Sequence, residues 1–263
     1  ESLQGNGVLA AYLNSSLSFD EQKAIEEKAK SGQLKLLYVS PEKLVSESFI
    51  NFLHQLKINL FAIDEAHCIS SWGHDFRPEY TKLRLLKKYF PQIPMVALTA
   101  TADKTTREDI LKQLQLNQAE VFLASFDRPN LSLKVLPGQK RIQAIIEFLQ
   151  TRKNQSGIIY CLSRKSTESL AEKLRNEGYD AIHYHAGMYA PDRAKAQEDF
   201  LNDRAGIVCA TVAFGMGIDK SNVRWVIHYN LPKNIESYYQ EIGRAGRDGL
   251  KSDTVLFYSY GDV

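Results

Sequence analysis

Short apolar runs alternate with amphipathic helical segments along the whole chain, and this alternation restricts the fold more than any other feature. Runs with apolar residues at nearly every position are typical of strands that a parallel sheet buries on both faces. Strands and helices that alternate at this spacing predict an α/β fold with parallel sheets. The predicted strands are Val8–Leu13, Leu34–Val39, Leu60–Ile63, Met95–Leu98, Gly157–Leu162, Ala181–Tyr184, Ile207–Ala210, Arg224–Tyr229 and Thr254–Tyr258.

Several predicted helices have recognisable first residues. Ser18 and Glu21 have the spacing of a capping box, and Thr105 and Glu108 repeat it. Pro191 fits the first turn of another helix. The helices that these signals predict span residues 19–30, 106–114 and 192–201.

The alternating pattern weakens once, near the middle of the chain. Phe-Asp-Arg-Pro-Asn at residues 126–130, here called the junction segment, and Pro-Gly-Gln-Lys at residues 137–140 are rich in turn-forming residues. A length of 263 residues favours about two domains. We therefore predict two α/β lobes, residues 1–125 and 138–263, joined by a linker at residues 126–137.

Composition excludes several classes of protein. Hydrophobic residues make up 44% of the chain and charged residues 24%, which is ordinary for a globular protein. No apolar run is long enough for a membrane helix, and we expect no signal peptide at the start. The formal net charge of +2 argues neither for nor against nucleic acid, so any site for a polyanion must be local.

Cysteine and histidine give no strong metal signal. Cys68, Cys161 and Cys209 are too few and too scattered for a disulfide framework or a zinc ribbon, so we predict buried free thiols in a reducing compartment. His183 and His185 alternate in a run of strand-forming residues and could share one strand face. Without a carboxylate or cysteine at a matching spacing, the sequence does not favour a metal site there.

Two acids follow the third predicted strand, in Asp-Glu-Ala-His at residues 64–67, here called the acidic turn. Ligands of open parallel sheets bind at the carboxyl ends of strands. There Asp64 could hold a Mg²⁺ ion that bridges nucleotide phosphates, and Glu65 could orient or deprotonate a water molecule. The alternative is a solvated strand end without a function.

Two further motifs are weaker when taken alone. Thr99 and Thr101, in Thr-Ala-Thr-Ala, follow the fourth predicted strand and could form a hinge or a hydrogen-bonded latch. Arg244 and Arg247 lie three apart in the glycine-rich segment that starts at Gln240, so they can share one helical face. Guanidinium groups fit phosphate, and an arginine from a second body can stabilise charge during phosphoryl transfer. A surface arginine pair is the alternative.

Taken together and in this order, the three motifs resemble the core of superfamily 2 helicases. The aromatic stretch at residues 68–80, the junction segment, Tyr-His-Ala-Gly at residues 184–187 and Ala-Phe-Gly-Met-Gly-Ile-Asp-Lys at residues 213–220 resemble RecQ DNA helicases. The resemblance covers nearly the whole chain. It implies two RecA-like parallel-sheet lobes in tandem, with the first lobe truncated at its N-terminus.

The resemblance implies roles for the motif residues toward ATP and Mg²⁺. Asp64 coordinates Mg²⁺, Glu65 positions the hydrolytic water, and His67, Thr99 and Thr101 couple hydrolysis to the nucleic-acid side. In the second lobe the implied residues are Arg247 as arginine finger, Arg244 beside it, Gln240 nearby, and Gly217 and Asp219 at the nucleotide.

The resemblance also implies DNA contacts, single-stranded and at duplex junctions. Aromatic side chains bind single strands with little sequence preference because every base has a π-face. Core packing is the alternative for the aromatic stretch. The residues expected to contact DNA are Trp72, His74, Phe76, Arg77, Ser163, Arg164 and Thr211.

One element of such a core is missing from the chain, which contains no Gly-Lys dipeptide. The phosphate-binding loop of these enzymes is Gly-x-x-x-x-Gly-Lys-[Ser/Thr]. We expect this loop upstream of the chain, and a zinc-binding subdomain and a winged helix downstream of it.

The expected function is that of an ATP-dependent 3′→5′ DNA helicase. Such an enzyme couples ATP hydrolysis to translocation and duplex unwinding in DNA repair and recombination. It has no membrane partner, and it is cytoplasmic in a bacterium or nuclear in a eukaryote. The chain alone is expected to be inactive. The alternatives are a module without ATPase activity that binds nucleic acid or a partner, and an RNA helicase, which the aromatic stretch and the junction segment oppose.

Overall fold

The computed structural model describes residues 2–14, 17–73, 75–215 and 218–260. The chain divides into two compact units, Glu1–Phe122 and Leu123–Val263. Among the described residues, no helix has the length and apolar character needed to cross a membrane.

The first unit contains two separate pairs of parallel strands over one apolar core. The pairs are β1 with β2 and β3 with β4. Leu13, Phe61 and Ile63 carry strand side chains into the core. In chain order its elements are α1 (Ser2–Gly5), β1 (Ala10–Leu13), α2 (Phe19–Lys30), β2 (Leu36–Val39), α3 (Pro41–Leu44), α4 (Glu47–Leu53), β3 (Phe61–Ile63), a 3₁₀ turn (Ala66–Ile69), α5 (Pro78–Thr81), α6 (Arg84–Tyr89), β4 (Met95–Ala97) and α7 (Lys104–Gln113).

The second unit is built on one six-stranded parallel sheet in the order β5-β10-β9-β6-β8-β7. Ile158 packs into one apolar cluster and Ile159 into another, because successive strand side chains point to opposite faces. Its elements are β5 (Leu131–Pro137), α8 (Arg141–Gln150), β6 (Ser156–Tyr160), α9 (Arg164–Asn176), β7 (Ala181–Tyr184), α10 (Ala190–Leu201), β8 (Ile207–Ala210), β9 (Val223–His228), α11 (Ile235–Ile242) and β10 (Ser252–Tyr258). The predicted α/β class with parallel sheets is confirmed.

All nine predicted strands are present, with ends that differ by at most two residues. One strand was not predicted, since β5 occupies most of the segment expected to be a linker. Among the strands that the structure describes, β5 pairs only with β10 at the sheet edge, and its residues from Leu133 onward are exposed. An exposed edge strand has no need of a continuous apolar run, so the pattern that revealed the other strands is absent here.

The capping box of α2 is confirmed, because the Ser18 N–H donates to Glu21 Oε2 at 2.8 Å and the Ser18 hydroxyl accepts from the Glu21 N–H. The capping box predicted at Thr105 is wrong. Asp103 caps α7 and accepts the Thr106 N–H at 2.7 Å, so the helix begins two residues earlier than predicted. An aspartate is at least as good an N-cap as a threonine. Pro191 lies in the first turn of α10, as predicted.

Candidate nucleotide and nucleic-acid sites

The acidic turn places two carboxylates at the carboxyl end of β3. Asp64 and Glu65 are both exposed, and Asp64 Oδ1 accepts the Glu65 N–H at 2.9 Å. Glu65 has a φ of 48°, in the left-handed region that residues other than glycine rarely adopt. Strained backbone of this kind clusters at functional sites, where the surrounding structure maintains it. The turn therefore presents both carboxylates to solvent in a fixed backbone conformation.

A chain of polar contacts joins the acidic turn to the segment after β4. His67 is buried, and its Nδ1 lies 3.0 Å from Thr99 Oγ1 and 3.4 Å from Glu65 Oε2. The Thr101 N–H donates to Thr99 Oγ1 at 3.2 Å. The structure thus brings four of the predicted residues together. A movement of Thr99 and Thr101 would therefore change the contacts of His67 with Glu65.

The aromatic stretch is tied to the acidic turn while its rings remain on the surface. A Cβ at Gly73 would lie 2.5 Å from the carbonyl oxygen of His67, so only glycine allows this close approach. The Arg77 N–H donates to the Cys68 carbonyl at 2.8 Å. Trp72 is 74% exposed and Phe76 44% exposed, so core packing is the wrong interpretation for these two side chains.

Asp75 organises the polar side of the aromatic stretch. Its Oδ2 accepts from Arg77 Nη2 at 2.7 Å, and this hydrogen bond raises the pKa of Arg77. The Cys68 thiol donates to the same oxygen at 3.8 Å, and burial raises the pKa of Cys68 to about 11. A phosphate that binds Arg77 would have to compete with Asp75. His74 lies outside the described residues.

In the second unit the two predicted arginines have different surroundings. Arg247 is exposed, and its Nη1 lies 3.2 Å from Asp219 Oδ1. Arg244 is half-buried and donates to the Gly215 carbonyl in the loop after β8. Gln240 lies half-buried on α11. The structure therefore brings Arg247 and Asp219 together, whereas Gly217 lies outside the described residues.

The three residues predicted to contact the DNA backbone follow the carboxyl ends of β6 and β8. The Ser163 hydroxyl caps α9 by accepting the Ser166 N–H at 3.1 Å. Arg164 is exposed, and its guanidinium lies against Gly187, where an added Cβ would be 2.7 Å from Nη1. The Thr211 N–H donates to the Tyr184 carbonyl at 3.1 Å. Arg164 is the best placed of the three, because capping already engages the Ser163 oxygen.

The junction segment fixes the turn between the two arginines, which the sequence did not indicate. Arg128 Nη2 donates to the carbonyls of Ala245 and Gly246 at 3.1 and 3.0 Å. Asn130 Nδ2 donates to the Gly246 carbonyl at 2.9 Å. Gly246 has a φ of +57°, and a Cβ there would lie 2.5 Å from Asn130 Nδ2. Arg128 and Asn130 are therefore positioning residues for Arg247.

Comparisons with known proteins show which families the chain resembles. Residues 5–110 match the DEAD/DEAH box helicase family, and residues 140–249 match the helicase conserved C-terminal domain. The chain is 53% identical over 262 residues to the ATP-dependent DNA helicase RecQ of Pasteurella multocida, covering all of this chain and 42% of that protein. It is 44% identical over 264 residues to RecQ of Bacillus subtilis, covering all of this chain and 45% of that protein.

Over its whole length the chain is similar to RecQ DNA helicases, and its two matched domains are those of a superfamily 2 helicase core. It spans less than half the length of these two curated relatives.

Solved structures show the same fold at low sequence identity. Saccharomyces cerevisiae Dbp5 bound to RNA and ADP BeF3 is similar with a TM-score of 0.67 and 18% identity, over 95% of this chain and 64% of that chain. Mycobacterium smegmatis helicase Lhr bound to ssDNA and AMP-PNP is similar with a TM-score of 0.71 and 20% identity, over 97% of this chain and 36% of that chain. At these identities the likeness concerns the fold alone.

The sequence analysis also missed a buried hydrogen bond between a histidine and a glutamate in this core. His228 Nε2 on β9 lies 2.6 Å from Glu241 Oε2 on α11, and their side chains are 1% and 9% exposed. Removing either partner would leave a buried polar group without its hydrogen bond, which destabilises the fold. The contact fixes α11 against the sheet beside Gln240. One indication of this contact was present in the sequence, because Glu241 is an acid within a segment that was expected to bind phosphate.

Proposed function

We propose that this core acts within an ATP-dependent DNA helicase that moves 3′→5′ along single-stranded DNA and unwinds duplexes in repair and recombination. The observation that carries the proposal is the contact chain from Glu65 through His67 to Thr99, beside the exposed Trp72. Through these contacts, a base stacked on the aromatic stretch can shift Glu65, the residue proposed to orient the attacking water. The names of the relatives, ATP-dependent DNA helicase RecQ, support the same proposal.

The acidic turn fits a magnesium ion. Asp64 is an exposed carboxylate at a strand end, and Mg²⁺ prefers oxygen ligands and keeps much of its own water. When bound there, the ion would neutralise charge on the nucleotide phosphates. Glu65, the next residue, would orient the attacking water or accept its proton.

The arginine segment would supply positive charge during phosphoryl transfer. Arg247 is held by Asp219 in an exposed ion pair, which a phosphate oxygen can replace at little cost because exposed pairs contribute little. Arg244 and Asp219 would complete the contacts from the second unit. The 263 residues contain no Gly-Lys dipeptide, so we assign ATP hydrolysis to the full-length protein that contains this core.

The test is Glu65→Gln in the full-length protein. We expect ATP turnover to be lost while nucleotide binding is retained, because Asp64 remains available for the metal. Glu47→Gln, at an exposed position in the first turn of α4, is the matched control and should leave both unchanged. Normal turnover in Glu65→Gln would remove Glu65 from the mechanism. ATP turnover that RNA stimulates and single-stranded DNA does not would favour an RNA helicase instead.

A further inference from the structure

Two histidines and a glutamate of the second unit form a cluster that the proposed helicase chemistry does not use. His183 lies on β7, His185 directly follows that strand, and Glu168 lies on α9. The two imidazole rings stack with centroids 5.8 Å apart and an interplanar angle of 23°. Glu168 Oε1 lies 2.8 Å from His185 Nε2.

We propose that Glu168, His183 and His185 bind a divalent transition-metal ion of the zinc class. One nitrogen or oxygen atom from each residue lies within 4.8 Å of the other two. Zinc bonds of about 2.0–2.2 Å in a tetrahedral site place ligand atoms roughly 3.3 Å apart. The three atoms must therefore approach by about 1.5 Å at most, which rotation of the exposed Glu168 and the half-buried His183 side chains can supply.

The chemistry of the three groups favours zinc over magnesium. Two imidazole nitrogens and one carboxylate oxygen form a ligand set that zinc sites use, with a fourth position left for water. Imidazole suits Zn²⁺, Cu²⁺ and Ni²⁺, whereas Mg²⁺ and Ca²⁺ prefer oxygen ligands throughout. The cluster is thus chemically distinct from the carboxylates of the acidic turn.

The burial of His185 also suits a metal site. His185 is 5% exposed, and its Nδ1 is a buried polar atom with no hydrogen-bond partner among the described residues. A polar atom of that kind usually has a partner or a functional reason to lack one.

The fold explains why the sequence alone did not favour this site. The histidines are adjacent on one strand face, but the carboxylate precedes His185 by 17 residues and lies on the preceding helix. Contacts between α9 and β7 bring Glu168 to the end of the strand. A spacing rule for neighbouring ligands cannot detect a third ligand that arrives through a strand–helix–strand connection.

The test titrates the metal-free 263-residue chain with Zn²⁺ and, in a separate experiment, with Co²⁺. Both titrations contain excess Mg²⁺, which occupies the carboxylate sites that prefer hard cations. We expect one Zn²⁺ per chain by calorimetry, and a visible Co²⁺ absorption band that Zn²⁺ abolishes. His183→Ala and Glu168→Gln should each weaken Zn²⁺ binding by at least about 10-fold. Glu168→Gln keeps an oxygen beside His185, so it remains informative if His183→Ala fails to fold.

His54→Ala, at an exposed histidine of the first unit, is the matched control and should bind Zn²⁺ with unchanged affinity. Wild-type affinity in His183→Ala and Glu168→Gln would overturn the proposal. So would loss of binding in Asp75→Asn alone, since that result would place the ion at the second cluster of possible ligands, His67, Cys68 and Asp75.

Discussion

Arg247 keeps its position through contacts from residues that lie more than a hundred positions earlier in the chain. Arg128 and Asn130 donate to the backbone carbonyl of Gly246, the residue directly before Arg247. Removing the Arg128 guanidinium would loosen this turn and leave the charge of Arg247 in place. Position and charge can therefore be separated by substitution.

For the full-length protein, we expect Arg247→Ala to lower ATP turnover by roughly 10³-fold or more, as loss of an arginine finger does. Arg128→Ala should lower it by about 10²-fold, because a displaced catalytic group costs less than an absent one. Steady-state kinetics would show the loss mainly in kcat. Lys153→Ala, at an exposed position of the same unit, is the control. Full turnover in Arg128→Ala would mean that the turn at Gly246 keeps its conformation without the Arg128 hydrogen bonds.

The family resemblance implied linked roles for Glu65, His67 and Thr99, but not how their side chains touch. The hydrogen bond between His67 and Thr99 joins residues 32 positions apart, so it depends on how β3 and β4 pair. At Ser163 the structure adds a capping role that the sequence analysis did not assign. Its position after a strand suggested DNA, while the same hydroxyl is what α9 needs at its first turn.

Among the elements, the aromatic stretch has the most direct link between packing and proposed function. Gly73 packs against the backbone of the acidic turn, and Trp72 next to it remains exposed. Anything that binds Trp72 therefore acts one residue from a rigid contact with His67.

We expect Trp72→Ala to reduce the stimulation of ATP turnover by single-stranded DNA several-fold, while basal turnover stays near that of the wild type. Base–aromatic stacking contributes about 1–3 kcal/mol per base, and this is the energy available for the shift. Measuring turnover with and without DNA separates the two effects. Tyr89→Ala, at another exposed aromatic of the first unit, should change neither. Equal stimulation in Trp72→Ala and wild type would leave the ring without a coupling role.

In the second unit, the strands that the apolar runs revealed are more buried than the one that they missed. β6 and β8 are buried at every position, and their apolar runs identified them directly. β5 is mostly exposed, and its pairing with β10 comes from a strand about 120 residues later, which no local pattern reveals. The start of α7 was displaced for a related reason, because Asp103 and Thr105 both suit a cap and only the folded backbone selects one.

For the whole molecule, three buried thiols make stability depend on alkaline pH. Burial raises the pKa of Cys68 to about 11 and of Cys161 to about 12, from an ordinary value of 9.0, and it also raises that of Cys209. Above pH ~9 the unfolded chain loses these protons while the folded chain keeps them. The free energy of unfolding should therefore be constant with respect to these groups below pH ~9 and fall as pH rises toward ~11–12.

Urea unfolding at pH ~8 and pH ~10.5 would measure this decline. In Cys161→Ala the midpoint should fall less between the two pH values than in the wild type, because one of the shifted groups is gone. Lys153→Ala should follow the wild type. If the unfolding midpoint is the same at both pH values, the three thiols do not have raised pKa values in the folded state.

The pairing of β5 with β10 also determines how the second unit bears tension. Seven residue pairs run in parallel register from Leu131 with Ser252 to Pro137 with Tyr258. Pulling the chain before β5 and after β10 slides the two strands past each other, so their hydrogen bonds are loaded together in shear. If the N-terminal pulling point is instead Lys140, just after the C-terminal end of β5, both forces act at the same end of the strand pair. The hydrogen bonds between β5 and β10 then break one after another. Single-molecule pulling should therefore give a higher rupture force in the first geometry than in the second.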